Sequence, residues 1–407
     1  MPPTTTLLSY LTRPNVELNR TNLKTGPNTL AVGSHDIEGV RPWTDFTLGK
    51  ILDCFGDVLQ VATSPDRLYQ PSPIPEHFRN LTDESCVDAI LLKHNHVKVD
   101  CALQVAAARL KDRGLQLPIS WSWGSLSSVE EDRRLRPDWA GTVHSQGPPY
   151  VNRVPGDTKQ SKKWTSTMKD STVRGYQEEF RKPLRQALLC CTKVNSRYGY
   201  IITDAEAFFF RRTKSEEPAR PLSINRPQRQ YAQPSQPTHG RVTSITSVIS
   251  GTSTMSIDSS GSPYTDAGNP DINEQPLDYA VVPWGSSGSD SLSINLGLFF
   301  IHLLAASDNS VQEWYPVLGT WQTVTDSKDR TRYRQVGSNR NEAKLPRGAT
   351  LAGSPPAISA NPSGSSVASS ATATSVTEAK AGDDDDDDED DEEGEWDSTT
   401  NDKGQTY

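Results

Sequence analysis

Between about residue 80 and residue 212 the hydrophobic periodicity changes three times, and that order constrains the fold more than any other feature of the chain. A polar Thr82-Asp83-Glu84 precedes Val87, Ile90 and Leu91, and helical spacing continues through Ala102-Leu103 to Leu110, stopping at Gly114. Residues 115–160 then break into short Gly/Pro-interrupted pieces. Leu117-Pro118-Ile119-Ser120-Trp121, Arg136-Pro137-Asp138-Trp139-Ala140-Gly141-Thr142-Val143 and Tyr150 to Asp157 read as strands and turns. From about Val173 to Val194, Tyr176, Phe180, Leu184, Leu188 and Cys191 recur at three to four residues, which predicts a helix that Pro183 kinks or restarts. Tyr198–Thr203 and Ala207–Arg211 follow as two strands joined at Asp204-Ala205-Glu206. Helix, strands, helix, strands predicts an α/β (α+β) fold with a central mixed β-sheet flanked by helices.

The rest of the chain divides around this stretch. Only 34% of the residues are hydrophobic and 29 are prolines, so one folded domain is expected, with the remainder disordered. Residues 1–40 read as a flexible lead-in, and Trp43 to Val61 as an amphipathic helix. Residues 214–276, rich in Ser, Thr, Pro, Gln and Gly, read as a disordered insertion. Order resumes with a strand at Tyr279 to Trp284 and a helix from about Ser291 to Ala306. That helix needs a surface to cover, so the insertion interrupts one domain spanning 41–324. Residues 325–407 read as a disordered tail.

The net charge of -9 is dominated by Asp383 to Glu393, eleven consecutive acids. Residues 1–382 alone carry 41 Lys+Arg (42 less Lys403) and 37 Asp+Glu (51 less the run, Glu395, Asp397 and Asp402), a balance of +4. That balance permits a polyanionic partner. The acidic run is expected to bind a basic protein partner, to mimic nucleic acid and shield the basic site, or to keep the chain soluble. Five cysteines without CxxC spacing point to neither a disulfide framework nor a zinc site, and adjacent Cys190 and Cys191 read as core. No signal-peptide pattern or span of membrane length is visible, so an intracellular location, nuclear or cytoplasmic, is expected without a membrane partner.

Chemistry is carried by Asp138 and Asp157-Thr158-Lys159. Adjacent strands can aim Asp138 and Asp157 at one point, and Lys159, two residues on, shares the face of Asp157. Thr158 points away and offers its backbone carbonyl. Two carboxylates, a carbonyl and an ammonium suit Mg²⁺ (or Mn²⁺) and phosphodiester hydrolysis. Lys162, Lys163, Lys169, Arg174, Arg181 and Lys182 could neutralise flanking phosphates or form an ordinary solvated face. Trp164 could stack on a base or fill the core. Lys93-His94-Asn95-His96 lacks the spacing of a metal-binding ββα nuclease unit and reads as a helix junction.

These residues resemble the PD-(D/E)XK, or restriction-endonuclease-like, nuclease superfamily. Pro137-Asp138 matches the first half of its motif and Asp157-Thr158-Lys159 the second, over roughly residues 80–212 plus 278–324; the insertion and the Val281-Val282-Pro283-Trp284 segment look most like its uncharacterised fungal members. The resemblance implies a core of helix, three-strand meander, helix and further strand. It also implies Asp138 and Asp157 as metal ligands and Lys159 as the cation that orients the attacking water. An acid on the first helix is common, with Glu84 the best match and Glu130 and Glu131 as rivals; Gln186 or Gln177 could supply a second-helix glutamine. DNA is the expected substrate and RNA the alternative. A catalytically inactive nucleic-acid-binding or protein-interaction module with the same fold is the competing expectation.

Overall fold

The computed structural model describes residues 4–28, 37, 39–124, 136–144, 150–214 and 276–353. Glu130, Glu131, the acidic run and nearly all of the expected insertion lie outside them. No helix among the described residues is long and apolar enough to cross a membrane.

The chain opens with β1 (Thr5–Thr6) and α1 (Leu7–Leu11), the latter capped by Thr6 Oγ1, which accepts from Ser9 N at 3.0 Å. After β2 (Val40–Pro42), α2 (Leu48–Leu59) starts at its Thr47 cap and buries Ile51, Cys54, Phe55, Val58 and Leu59. β3 (Ala62–Thr63) pairs with β1, and α3 (Glu76–Arg79) is a single turn. Asp83 accepts from Cys86 N to start α4 (Glu84–Ile90), which runs through a π-helical turn, Leu91–His96, into α5 (Val97–Arg109). The Lys93-His94-Asn95-His96 string is thus a helix junction, made by widening one turn.

β4 (Ile119–Trp123), β5 (Trp139–Val143) and β6 (Gly156–Lys159) come next, then α6 (Arg174–Lys193), β7 (Tyr198–Thr203), β8 (Glu206–Arg211), β9 (Leu277–Pro283) and α7 (Ile294–Ser307). Pro183 sits inside α6 without ending it. The main sheet has seven strands in the order β2-β9-β8-β7-β6-β5-β4. β6–β7 and β2–β9 are parallel and the other neighbours antiparallel, so the sheet is mixed. A helix is the short way to join parallel neighbours, and α6 makes that crossover from β6 to β7.

Alternate residues of β7 face two cores, as a strand covered on both sides requires. Tyr200 and Ile202 join the larger cluster with α1, α2, α4, α5 and α7; Ile201 joins the smaller one with Phe180, Leu184, Leu188 and Cys191 of α6. All but one residue of α7 are buried, the pattern of a helix apolar on every side. Trp164 is buried in the smaller core, its indole N–H donating to the Phe180 carbonyl at 2.9 Å. It is a core residue and has no free face for a base.

Two boundaries differ from the sequence expectation. Residues 1–40 are not merely a lead-in: Leu7, Tyr10 and Leu11 are fully buried, Leu18 and Leu23 nearly so, and Asn15 Nδ2 donates to the Trp284 carbonyl at 3.0 Å. Nor does order stop at 325, because β10 (Trp321–Thr325), β11 (Thr331–Gln335) and β12 (Asn341–Glu342) form a separate antiparallel sheet. Leu11→Ala is therefore expected to destabilise the chain by about 2–5 kcal/mol, read from urea unfolding, the cost of a core cavity. A lead-in would give nearly none.

Candidate functional site at the opening of the sheet

β5 and β6 share one paired position, Trp139 with Gly156. Beyond it the strands part, and the backbone of Thr158 on that side has no strand partner. Its amide donates instead to Asp138 Oδ2 at 2.8 Å, and its carbonyl accepts from Lys159 Nζ at 2.8 Å. Asp138 and Asp157 lie one step past the paired position on their strands, opposite each other on one face. The Thr158 side chain turns to the other face and accepts from the Trp139 indole N–H at 2.9 Å. Gly156 is required here because a Cβ would come within 2.1 Å of the Tyr200 ring, which fills the space below the paired position.

Lys159 ties the site together. Its ammonium lies 2.6 Å from Asp157 Oδ2 and 3.5 Å from Glu84 Oε1, so the first turn of α4 reaches the same opening. Burial pushes the Asp157 carboxyl up to about 8; Lys159 pulls against that, and Asp138 adds to it through its charge and a side-chain hydrogen bond. Burial works against the Lys159 charge, but Asp157 and Glu84 outweigh it and hold the ammonium above its ordinary range. Burial also raises Glu84, with Lys159 and Lys163 acting the other way.

Asp88 escaped the sequence reading. It stands one turn after Glu84, its carboxyl pushed up to about 6, first by burial and then by Asp138 and Glu84, with Thr158 acting the other way. An i,i+4 pair of acids at a helix start was the available signal.

The other expected contacts divide. Lys163 acts on Glu84, and Gln186 lines a small cavity with Asp157, Pro137 and Cys190. Lys162 and Arg174 are exposed, while Lys169 pairs with Asp170 and lies 5.4 Å from the Tyr279 ring. Gln177 donates to the Ser171 carbonyl at 2.7 Å. Arg181 and Arg185 pair with Glu178, and Lys182 pairs with Glu179. The basic face of α6 is largely neutralised by its own acids.

For a divalent cation the donors are hard oxygens of the right kind. Asp157 Oδ2 is buried and accepts no hydrogen bond in good geometry despite the nearby ammonium. Among the described residues no three His, Cys, Asp or Glu side chains form a preset metal cluster. The fit accordingly rests on Asp138, Asp157 and the Thr158 carbonyl, which Lys159 holds at present. No family model matches the chain, and no curated protein or solved structure matches it either.

Proposed function

We propose that this chain is a metal-dependent nuclease built on a restriction-endonuclease-like core, hydrolysing phosphodiester bonds of DNA, with RNA as the alternative substrate. The observation that carries the reading is the convergence of Asp138, Asp157, Lys159 and Glu84 where β5 and β6 part. The order of elements supports it: α4–α5, the β4-β5-β6 meander, the α6 crossover and the parallel strand β7 match what the motif implies.

Asp138, Asp157 and the Thr158 carbonyl would hold Mg²⁺ or Mn²⁺, which when bound stabilises negative charge on the phosphorus oxygens. The chain's own residues do the positioning. Thr158 N–H fixes the rotamer of Asp138. Lys159 stays an ammonium, so it donates: it orients the attacking water and offsets charge at the phosphate, and it is not the general base. Glu84 restrains that ammonium from the far side.

A second reading, a nucleic-acid-binding or interaction module that keeps the fold without catalysis, is favoured by one observation: Lys159 occupies the Thr158 carbonyl, so the ligand set is not preset. The two separate when purified protein is incubated with single- and double-stranded DNA and RNA in Mg²⁺, Mn²⁺ or EDTA. Cutting that needs metal and disappears in Asp157→Ala and Lys159→Ala is the expected result. Binding without cutting in either metal favours the module, and cutting untouched by both substitutions removes this site from the reaction.

A further inference from the structure

We propose that Trp123 is a stacking platform for an unpaired base of the substrate, so that the site takes nucleic acid as a single strand. This rests on the nuclease reading and adds the form in which the substrate is presented. Trp123 ends β4, the outermost strand of the sheet, at the same rim where β5 and β6 part. It is 38% exposed, although large aromatic side chains bury well and here three of the other tryptophans, Trp121, Trp139 and Trp164, are fully buried.

One face of the Trp123 ring is already seated. It lies on Trp139 with centroids 4.8 Å apart and planes at 9°, and Trp139 is tilted against Trp121 at 4.9 Å. The Trp139 indole is pinned in turn by Thr158, the residue that holds Asp138 through its amide. Next in the chain after Trp123, Gly124 N donates to the Asp138 carbonyl at 2.9 Å. The exposed ring is thus the outer end of an aromatic row whose middle member, Trp139, is hydrogen-bonded to Thr158 of the candidate site. A pre-set ring loses little freedom when a second aromatic lies on it.

The occupant follows from chemistry and spacing. β4 and β6 flank β5, and neighbouring strands are about 4.8 Å apart, so the backbones of Trp123 and Asp157 are roughly 10 Å apart at the rim, with the ring on the Trp139 face and the carboxylate on the other, and a strand passing round the rim meets both. Arg136, exposed two residues before Asp138, and Lys163, which acts on Glu84, supply positive charge for the intervening phosphates. A base inside a duplex has both faces covered by its neighbours. An unpaired base has a free face, and stacking of this kind is sequence-tolerant because every base has one.

The test is fluorescence anisotropy on the full chain in EDTA, with a labelled single-stranded oligonucleotide and a hairpin duplex, comparing wild type, Trp123→Ala and Trp123→Phe. Wild type is expected to prefer the single strand. Trp123→Ala should weaken that binding by about 10-fold or more, from a stacking contribution of this class, while duplex binding stays the same and Trp123→Phe retains most of the affinity. Unchanged single-strand affinity in Trp123→Ala overturns the platform, as does an equal loss on both substrates. Urea midpoints of both variants keep a folding defect from passing as lost stacking. The platform and the nuclease reading fail separately: stacking without metal-dependent cutting by wild type overturns only the latter, and cutting with no Trp123 effect on binding overturns only the former.

Discussion

Lys159→Met is expected to slow Mg²⁺-dependent cleavage by about 10³-fold and to destabilise the metal-free chain by about 3 kcal/mol at neutral pH. The catalytic loss follows from the proposed role, since methionine fills the space of the side chain but can neither donate to water nor offset charge. The stability loss follows from the charges alone. Lys159 is nearly buried and lies within 4 Å of Asp157 and Glu84, with Asp138 beside them. Removing one member of a buried ion pair strands the other, which commonly costs about 3–5 kcal/mol. Here the low end applies, because burial and Asp138 raise the Asp157 carboxyl, so that once the lysine is gone it can take a proton instead of remaining an uncompensated charge. Adding Asp157→Asn to Lys159→Met should restore most of the stability and none of the cleavage. Urea unfolding without metal and initial rates with Mg²⁺ measure the two effects. Wild-type stability in Lys159→Met would refute the buried pair, and a wild-type rate would refute its role in the reaction.

How much of this site was legible depended on how local each feature is. Asp138, Asp157 and Lys159 could be aligned from strand periodicity and a separation that fits strand, turn and strand, and the sheet keeps the two carboxylates on one face. Asp88 could not be read the same way. Its place in the site comes from Thr158 and Asp138, 70 and 50 residues further along the chain, a proximity that no local pattern reports. The basic helix shows the opposite failure. Its lysines and arginines were plain in the sequence, but Glu178 and Glu179 lie one turn from Arg181 and Lys182 and take up their charge. At the N-terminus, Leu7, Tyr10 and Leu11 have helical spacing, but one five-residue helix carries too little periodicity to stand out from its threonine-rich surroundings. β10 was obscured because only Trp321 of its five residues is buried, leaving no alternation to detect.

A second large effect is expected on acidification, and it comes from the core. His302 on α7 is fully buried, with Nδ1 2.7 Å from the Leu298 carbonyl. A carbonyl only accepts, so Nδ1 carries the proton and Nε2, which has no partner, is bare. Burial holds the imidazole down at about 4, with His96 acting in the same direction and the Leu298 carbonyl against it. In the unfolded chain the same group titrates near 6.5. The sign follows: above pH 6.5 neither state binds the proton and the contribution to stability is fully present. As pH falls toward 4 the unfolded chain takes up a proton that the folded chain refuses, so stability drops by about 1.4 kcal/mol per pH unit, on the order of 3 kcal/mol in all. His302→Phe keeps an aromatic ring in the core and removes the titration. Between pH 7 and 4 the wild type should therefore lose on the order of 3 kcal/mol more than the variant, because the carboxylates elsewhere titrate equally in both and cancel in the difference. Unfolding curves at pH 7, 5.5 and 4 supply the comparison. Parallel pH profiles for the two proteins would mean that His302 accepts its proton without leaving the core.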